Sequence, residues 1–138
     1  MNALTKHSST VAINQTSDIV LARSAARALA ARLGFGKADQ TRLATAVSEL
    51  TRNVIMYAGC GECCISDTSD AECSRVEITV QDHGPGIADI ALALQDGFST
   101  GGSMGAGLAG TRRLVDGFLL ESAPGLTKVT VSLALRRI

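Results

Sequence analysis

From Val76 to Asp82 the sequence alternates residue by residue, with Val76, Ile78 and Val80 apolar and Glu77, Thr79 and Gln81 polar between them. Side chains on a strand point to opposite faces with a period of two, so this pattern predicts a strand with one face in a core. The same alternation carries Asp82 onto the apolar face. A carboxylate aimed inward at the end of a core strand must accept hydrogen bonds, because an unpaired buried charge is costly. Its partner can be the backbone of the following turn, His83-Gly84-Pro85-Gly86, in an Asx-turn. It can equally be a donor on a bound ligand, such as an adenine amino group. Gly84 and Gly86 remove side chains beside the carboxylate, which would let a flat base approach the backbone.

The rest of the chain supplies partners for that strand. Thr10–Asn14 is a short alternating strand, after which Ser17 or Asp18 can cap a helix running to about Leu33. Ile19, Ala22, Ala26, Leu29 and Leu33 form its apolar stripe, and Gly34 and Gly36 stop it. A second helix spans Lys37 to Tyr57, with Leu43, Val47, Leu50, Val54 and Tyr57 on the buried side and Gly59 and Gly61 at its end. A hairpin follows, Glu62–Ser66 and Arg75–Asp82 around a polar turn. Ile87–Leu94 reads as a short helix, Gly97–Gly107 as a glycine-rich loop and Ala106–Asp116 as a helix. Strands near Phe118–Ser122 and Leu126–Leu135 close the chain, with Gly125 turning between them. Strands grouped apart from helices, without a βαβ alternation, predict an α+β fold with helices on one face of a mixed sheet. No repeat or linker divides residues 1–138, which read as one domain.

Composition narrows what such a domain can do. Thirteen basic residues balance thirteen acidic ones, and there is no Trp and one Tyr. The chain therefore lacks the basic footprint and stacking groups of a nucleic-acid binder. No apolar run reaches the length of a membrane span, and Met1–Thr10 is polar, unlike a signal peptide. A cytoplasmic protein with reduced cysteines is the expectation. Of the four cysteines, Cys60 and Cys63 make a CxxC, with Cys64 adjacent and Cys73 further on. A second pair at zinc spacing is missing and His7 and His83 are remote, so small apolar filler on a hairpin is preferred to a zinc site closed by folding.

Two further groups can carry chemistry. Glu49 and Asn53 lie four apart on the second helix, hence one above the other beside its buried stripe. Oxygen-bearing side chains one turn apart can hold Mg²⁺ or orient a hydroxyl or water. The plain alternative pairs Glu49 with Arg52 on the surface. The run from Gly101 to Gly110 holds five glycines and meets a helix, presenting backbone N–H groups and a helix dipole to an anion such as a phosphate chain. It is neither a Walker A loop nor the opening of a Rossmann unit. A flexible surface loop is the alternative reading.

Glu49-Leu-Thr-Arg-Asn53 on a helix, Asp82-His-Gly-Pro-Gly86 after a strand and Gly105-Ala-Gly107-Leu-Ala-Gly110 before a helix, in that order, resemble the GHKL ATPase superfamily. Leu33-Gly-Phe-Gly36, Ser48–Asn53, Tyr57-Ala-Gly59 and Asp96–Thr100 narrow the likeness to the RsbT-type switch kinases of the bacterial stressosome, related to the anti-sigma-factor kinases. The resemblance implies a Bergerat-type ATP-binding fold, an α/β sandwich with helices on one face of a mostly antiparallel sheet. It implies that Asn53 ligates Mg²⁺, that Asp82 binds adenine, that Gly84 and Gly86 shape the base pocket, and that residues 97–106 form an ATP lid. Gly105, Gly107 and Gly110 would meet the phosphates, with Ile87, Thr100, Ala106 and Leu108 completing the ATP-binding set. Glu49 would be the general base towards an acceptor hydroxyl, a role suited to phosphoryl transfer. The anti-sigma kinases carry an arginine just before the lid glycines, where this chain has Ser103. Turnover would then be slow or would need a group supplied by the partner.

The resemblance implies a serine/threonine protein kinase acting on a STAS-domain scaffold or antagonist, then activating a metal-dependent phosphatase. The competing reading is an anti-sigma factor that binds a sigma factor in a nucleotide-dependent way with little turnover. A histidine-kinase module fits less well, since no phospho-acceptor histidine helix precedes the domain. The first strand and helix could form a homodimer or a partner surface.

Overall fold

The computed structural model describes residues 7–86 and 107–137. Its elements run β1 (Ser8–Ile13), α1 (Thr16–Arg32), α2 (Lys37–Tyr57), β2 (Gly61–Asp67), β3 (Cys73–Asp82), α3 (Gly107–Leu114), β4 (Gly117–Ala123) and β5 (Leu126–Arg136). The short helix expected at Ile87–Leu94 and most of the glycine-rich loop lie outside the described residues.

The strands form one five-stranded sheet in the order β1-β2-β3-β5-β4. All of its pairings are antiparallel, so the mixed sheet expected from the sequence is antiparallel throughout the described strands. The alternating strand that constrains the fold, β3, is the centre. Ser74, Val76, Ile78, Val80 and Asp82 face the helices and are buried. Cys63 and Ile65 of β2 and Val129, Val131 and Leu133 of β5 share that face. Leu43, Val47, Leu50 and Val54 of α2 and Ala22, Ala26 and Leu29 of α1 close over it. Alanine supplies much of the α1 side of this core, and among the described residues Phe35 in the α1–α2 link is the aromatic side chain that is buried.

Local signals set most of the boundaries, with instructive differences. The first strand starts earlier than its alternation suggested, because it pairs along β2 from Ser8↔Ser66 to Ile13↔Gly61. Asp18 acts one turn inside α1 rather than as its cap: its Oδ2 accepts the N–H groups of Asn14 and Gln15 at 2.9 and 3.1 Å. That geometry puts a carboxylate at the positive end of the helix dipole. Tyr57 leaves the buried stripe of α2 and is 45% exposed, since the helix stops there and Gly59, at φ +87°, turns the chain away. Gly61 does not serve as a helix stop; it is the first residue of β2. The last helix is also shorter than expected, because the Asp116 backbone N–H already bonds Ser132 O and leads into β4.

Candidate active site

Asp82 ends β3 opposite Gly61 on one side and Thr127 on the other. It is 8% exposed, as its place on the apolar face required. Its Oδ1 accepts the Gly84 N–H at 2.9 Å, which is the Asx-turn allowed by the sequence. Among the described residues that is the hydrogen bond its side chain makes. The turn is fastened from the far side by the β4–β5 hairpin. Gly125 N–H donates to Gly84 O at 3.1 Å, and His83 Nδ1 lies 3.3 Å from Gly125 O.

The glycines here have a packing reason that the sequence did not suggest. A Cβ on Gly84 would come within 2.8 Å of the Ala58 Cβ, and one on Gly86 within 2.4 Å of Ala123 O. Gly86 also holds φ +83°. Both are glycine because the protein fills the space, seating the turn against the end of α2 and the edge of β4. Gly61 belongs with them: its missing Cβ would meet Gln81 O at 2.4 Å, Val54 Cγ1 at 2.8 Å and Asp82 Cβ at 3.1 Å. Gly61 and Gly84 thus bring Asp82 and its turn against the end of α2, the helix that carries Asn53 and Glu49, while Gly86 seats the turn on β4.

On α2 the buried hydroxyls are spoken for. Ser48 Oγ donates to Ala44 O at 2.9 Å and Thr51 Oγ1 to Val47 O at 2.7 Å. Glu49 is different. Its Oε2 accepts from Arg52 Nη1 at 2.7 Å, the pairing foreseen as the plain alternative. Its Oε1 is nevertheless buried and has no hydrogen-bond partner among the described residues. Buried polar atoms are seldom left unmatched, and an exception is completed by an ordered water or ion or marks a group with a catalytic role. Asn53, one turn on, is half-buried and offers an amide oxygen on the same side.

The third helix contributes Gly107, Leu108 and Gly110. Gly107 opens α3 at φ +47°, and its carbonyl accepts from the buried Thr111 Oγ1 at 2.8 Å. Arg42 of α2 ties the far end down through Leu114 O at 3.2 Å. Ile87, Thr100, Gly105 and Ala106, together with Ser103, lie outside the described residues. Residues 38–137, which span every element from α2 onward, match the family of histidine kinase-, DNA gyrase B- and HSP90-like ATPases. The chain belongs to this ATPase family. It is also 49% identical over 108 residues to the serine/threonine-protein kinase RsbT of Bacillus subtilis (strain 168), covering 78% of this chain and 81% of that one. Within the ATPase family the chain is thus a serine/threonine protein kinase of the RsbT type, and its nucleotide is ATP.

The sequence reading missed part of what surrounds Asp82. Thr127 sits directly across from it on the same sheet face, with Ser122 Oγ 3.3 Å from Thr127 Oγ1. The signal was present, since Thr127 continues the alternation of Val129, Val131 and Leu133. The cysteines, by contrast, form no cluster. Cys63 points into the core, where burial, helped by neighbouring Cys64, pushes its thiol up to about 12, so it stays protonated and ligates poorly. Cys64 points the other way and pairs with Thr79, while Cys73 pairs with Arg136 at the other end of the sheet. Six residues of strand separate those positions, about 20 Å. No group of three or more His, Cys, Asp or Glu side chains among the described residues could hold a metal ion.

Proposed function

We propose that the protein transfers the γ-phosphoryl group of ATP to a serine or threonine of a STAS-domain partner in a stressosome-type partner-switching pathway. Released from that partner, it activates a metal-dependent phosphatase. The observation that carries the reading is Glu49 Oε1, buried and unpartnered one helical turn from Asn53. A side chain kept in that state lowers stability, and a reacting hydroxyl is the group that would satisfy it.

The residue roles follow from what each atom has free. Asp82, with Oδ1 held by Gly84, presents Oδ2 to the adenine amino group, and Thr127 adds a hydroxyl beside it. Asn53 offers a hard amide oxygen that suits Mg²⁺, which prefers oxygen ligands. Bound there, Mg²⁺ would neutralise charge on the phosphates. Gly107, Leu108 and Gly110 of α3, with Gly105, Ala106, Thr100 and Ile87 before it, would enclose the phosphate chain. Glu49 Oε1 accepts the proton of the acceptor hydroxyl as its oxygen bonds to the γ-phosphorus, and the bond to the bridging oxygen breaks to release ADP. Positioning and charge neutralisation supply most of the rate in such transfers. A kinase of this kind would work in the cytoplasm, where ATP is available. No helix among the described residues is long and apolar enough to cross a membrane.

Labelled ATP, incubated with the protein and the STAS-domain protein encoded beside its gene, tests the proposal directly. Label on a serine or threonine of the STAS protein is expected. Tight binding of a sigma factor with no label on any STAS protein would refute it.

A further inference from the structure

We propose that Arg52 is a positioning residue for phosphoryl transfer, locking the Glu49 carboxylate so that Oε1, and not Oε2, is the oxygen offered to the acceptor. This rests on Glu49 being the base. The terminal torsion of a glutamate is broad and two-fold, so its covalent structure does not decide which oxygen faces the site. The neighbouring hydroxyls cannot decide it either, because Ser48 and Thr51 are committed to helix carbonyls. The Arg52 guanidinium does so, with Nη1 at 2.7 Å from Oε2 while Oε1 stays buried and unpartnered. The Glu49 side chain is 14% exposed and that of Arg52 46%, so the cation comes in from solvent onto a carboxylate already set in the protein.

A second pair at the same spacing on α2 shows what a structural arginine looks like. Arg42 bonds Asp39 at 2.6 Å and also holds Leu114 O, joining α3 to α2. Among the described residues Arg52 has Glu49 as its hydrogen-bond partner and ties no second element down. A half-exposed pair three residues apart adds little to folding stability. Its removal should therefore be felt in the rate of transfer and hardly in folding.

The test compares wild type, Arg52→Gln and Arg52→Lys with MgATP and the STAS-domain acceptor. For Arg52→Gln, kcat should fall by about tenfold to a hundredfold, as expected when a reacting group is misplaced by around an ångström. The acceptor KM and ATP affinity should stay unchanged, and Arg52→Lys should recover most of the lost rate. An unaltered or raised kcat, a loss confined to KM, or a lysine variant no better than glutamine would each overturn the inference. A readout independent of turnover is the ¹³Cδ resonance of Glu49 in glutamate-labelled protein, assigned by its loss in Glu49→Gln. It should move in Arg52→Gln and return in Arg52→Lys, and one position in all three proteins would refute the lock. Should wild type label no STAS protein, the proposed function fails, while the resonance still decides whether Arg52 fixes the Glu49 carboxylate.

Discussion

Replacing Asp82 with asparagine separates the structural half of this carboxylate from its ligand-binding half. The side chains are nearly isosteric, and asparagine keeps an Oδ1 that can accept the Gly84 N–H now held at 2.9 Å. The Asx-turn, the Gly125 N–H bond to Gly84 O and the packing of Gly86 on Ala123 should all persist. What changes is the second position, where an acceptor oxygen becomes an NH₂ donor facing the adenine amino group. Losing a hydrogen bond to a charged group removes about 1.5–3 kcal/mol, and leaving two donors opposed adds about 1–3 kcal/mol. A total of about 2.5–6 kcal/mol corresponds to an ATP affinity lower by roughly two to four powers of ten. Isothermal titration with ATP reads the affinity, and a thermal melt of the nucleotide-free protein reads the fold. Weak binding with an unchanged melt is expected. ATP binding within threefold of wild type would refute the assignment of Asp82 to adenine, and a collapsed melt would show that its charge serves the turn instead.

Glu49→Ala should leave ATP affinity nearly unchanged while transfer falls by about 10²–10⁴, the usual contribution of a general base. Its melting temperature should not drop, because the variant removes a buried oxygen with no partner; retained transfer refutes the base. Gly61→Ala forces a Cβ against Gln81 O, Val54 Cγ1 and Asp82 Cβ. It should lose about 1–3 kcal/mol in urea unfolding, whereas Gly36→Ala, with nothing within 4 Å, serves as the tolerant control. The Cys63 thiol, ordinarily near 9.0, is raised to about 12 in the folded chain. Above pH 9 the unfolded state ionises first, so stability is intact below that pH and is lost as pH rises towards 12. The loss should reach about 1.4 kcal/mol per pH unit relative to Cys63→Val. Urea midpoints of the two proteins under reducing conditions should run parallel below pH 8 and diverge above 9, and parallel curves throughout would disprove the shift.

Much of the fold was legible because its signals are local. The alternation of Val76 to Val80 named both the core face of β3 and the burial of Asp82, and the three- and four-residue steps of α2 placed Leu43 to Val54. The losses came where distant contacts decide. Nothing near Ser8 announces a strand; Ser66 across the sheet does. Tyr57 continues the stripe of α2 in sequence, but it is the last residue of the helix, where the chain turns away. Gly61, Gly84 and Gly86 read as punctuation or as room for a base. Their reasons are Gln81, Ala58 and Ala123, which are brought near by the hairpins and by the end of α2.

Glu49 shows why a surface explanation and a functional one need not compete. An E-x-x-R spacing on a helix is satisfied by an ordinary ion pair, and that pair is present at 2.7 Å. A pair of that kind uses one carboxylate oxygen, and a pattern of residue types cannot say what becomes of the other. The packing of α2 supplies the answer, because it buries Oε1 without giving it a donor. If the ion pair accounted for Glu49 completely, the second oxygen would be free to face water, as it does in exposed pairs that contribute little. Its burial lowers stability with no structural return, beside an asparagine that can hold a cation. Local disagreement of this sort between sequence logic and stability is what a reacting site leaves behind, and the proposed role of Glu49 rests on it rather than on the spacing alone.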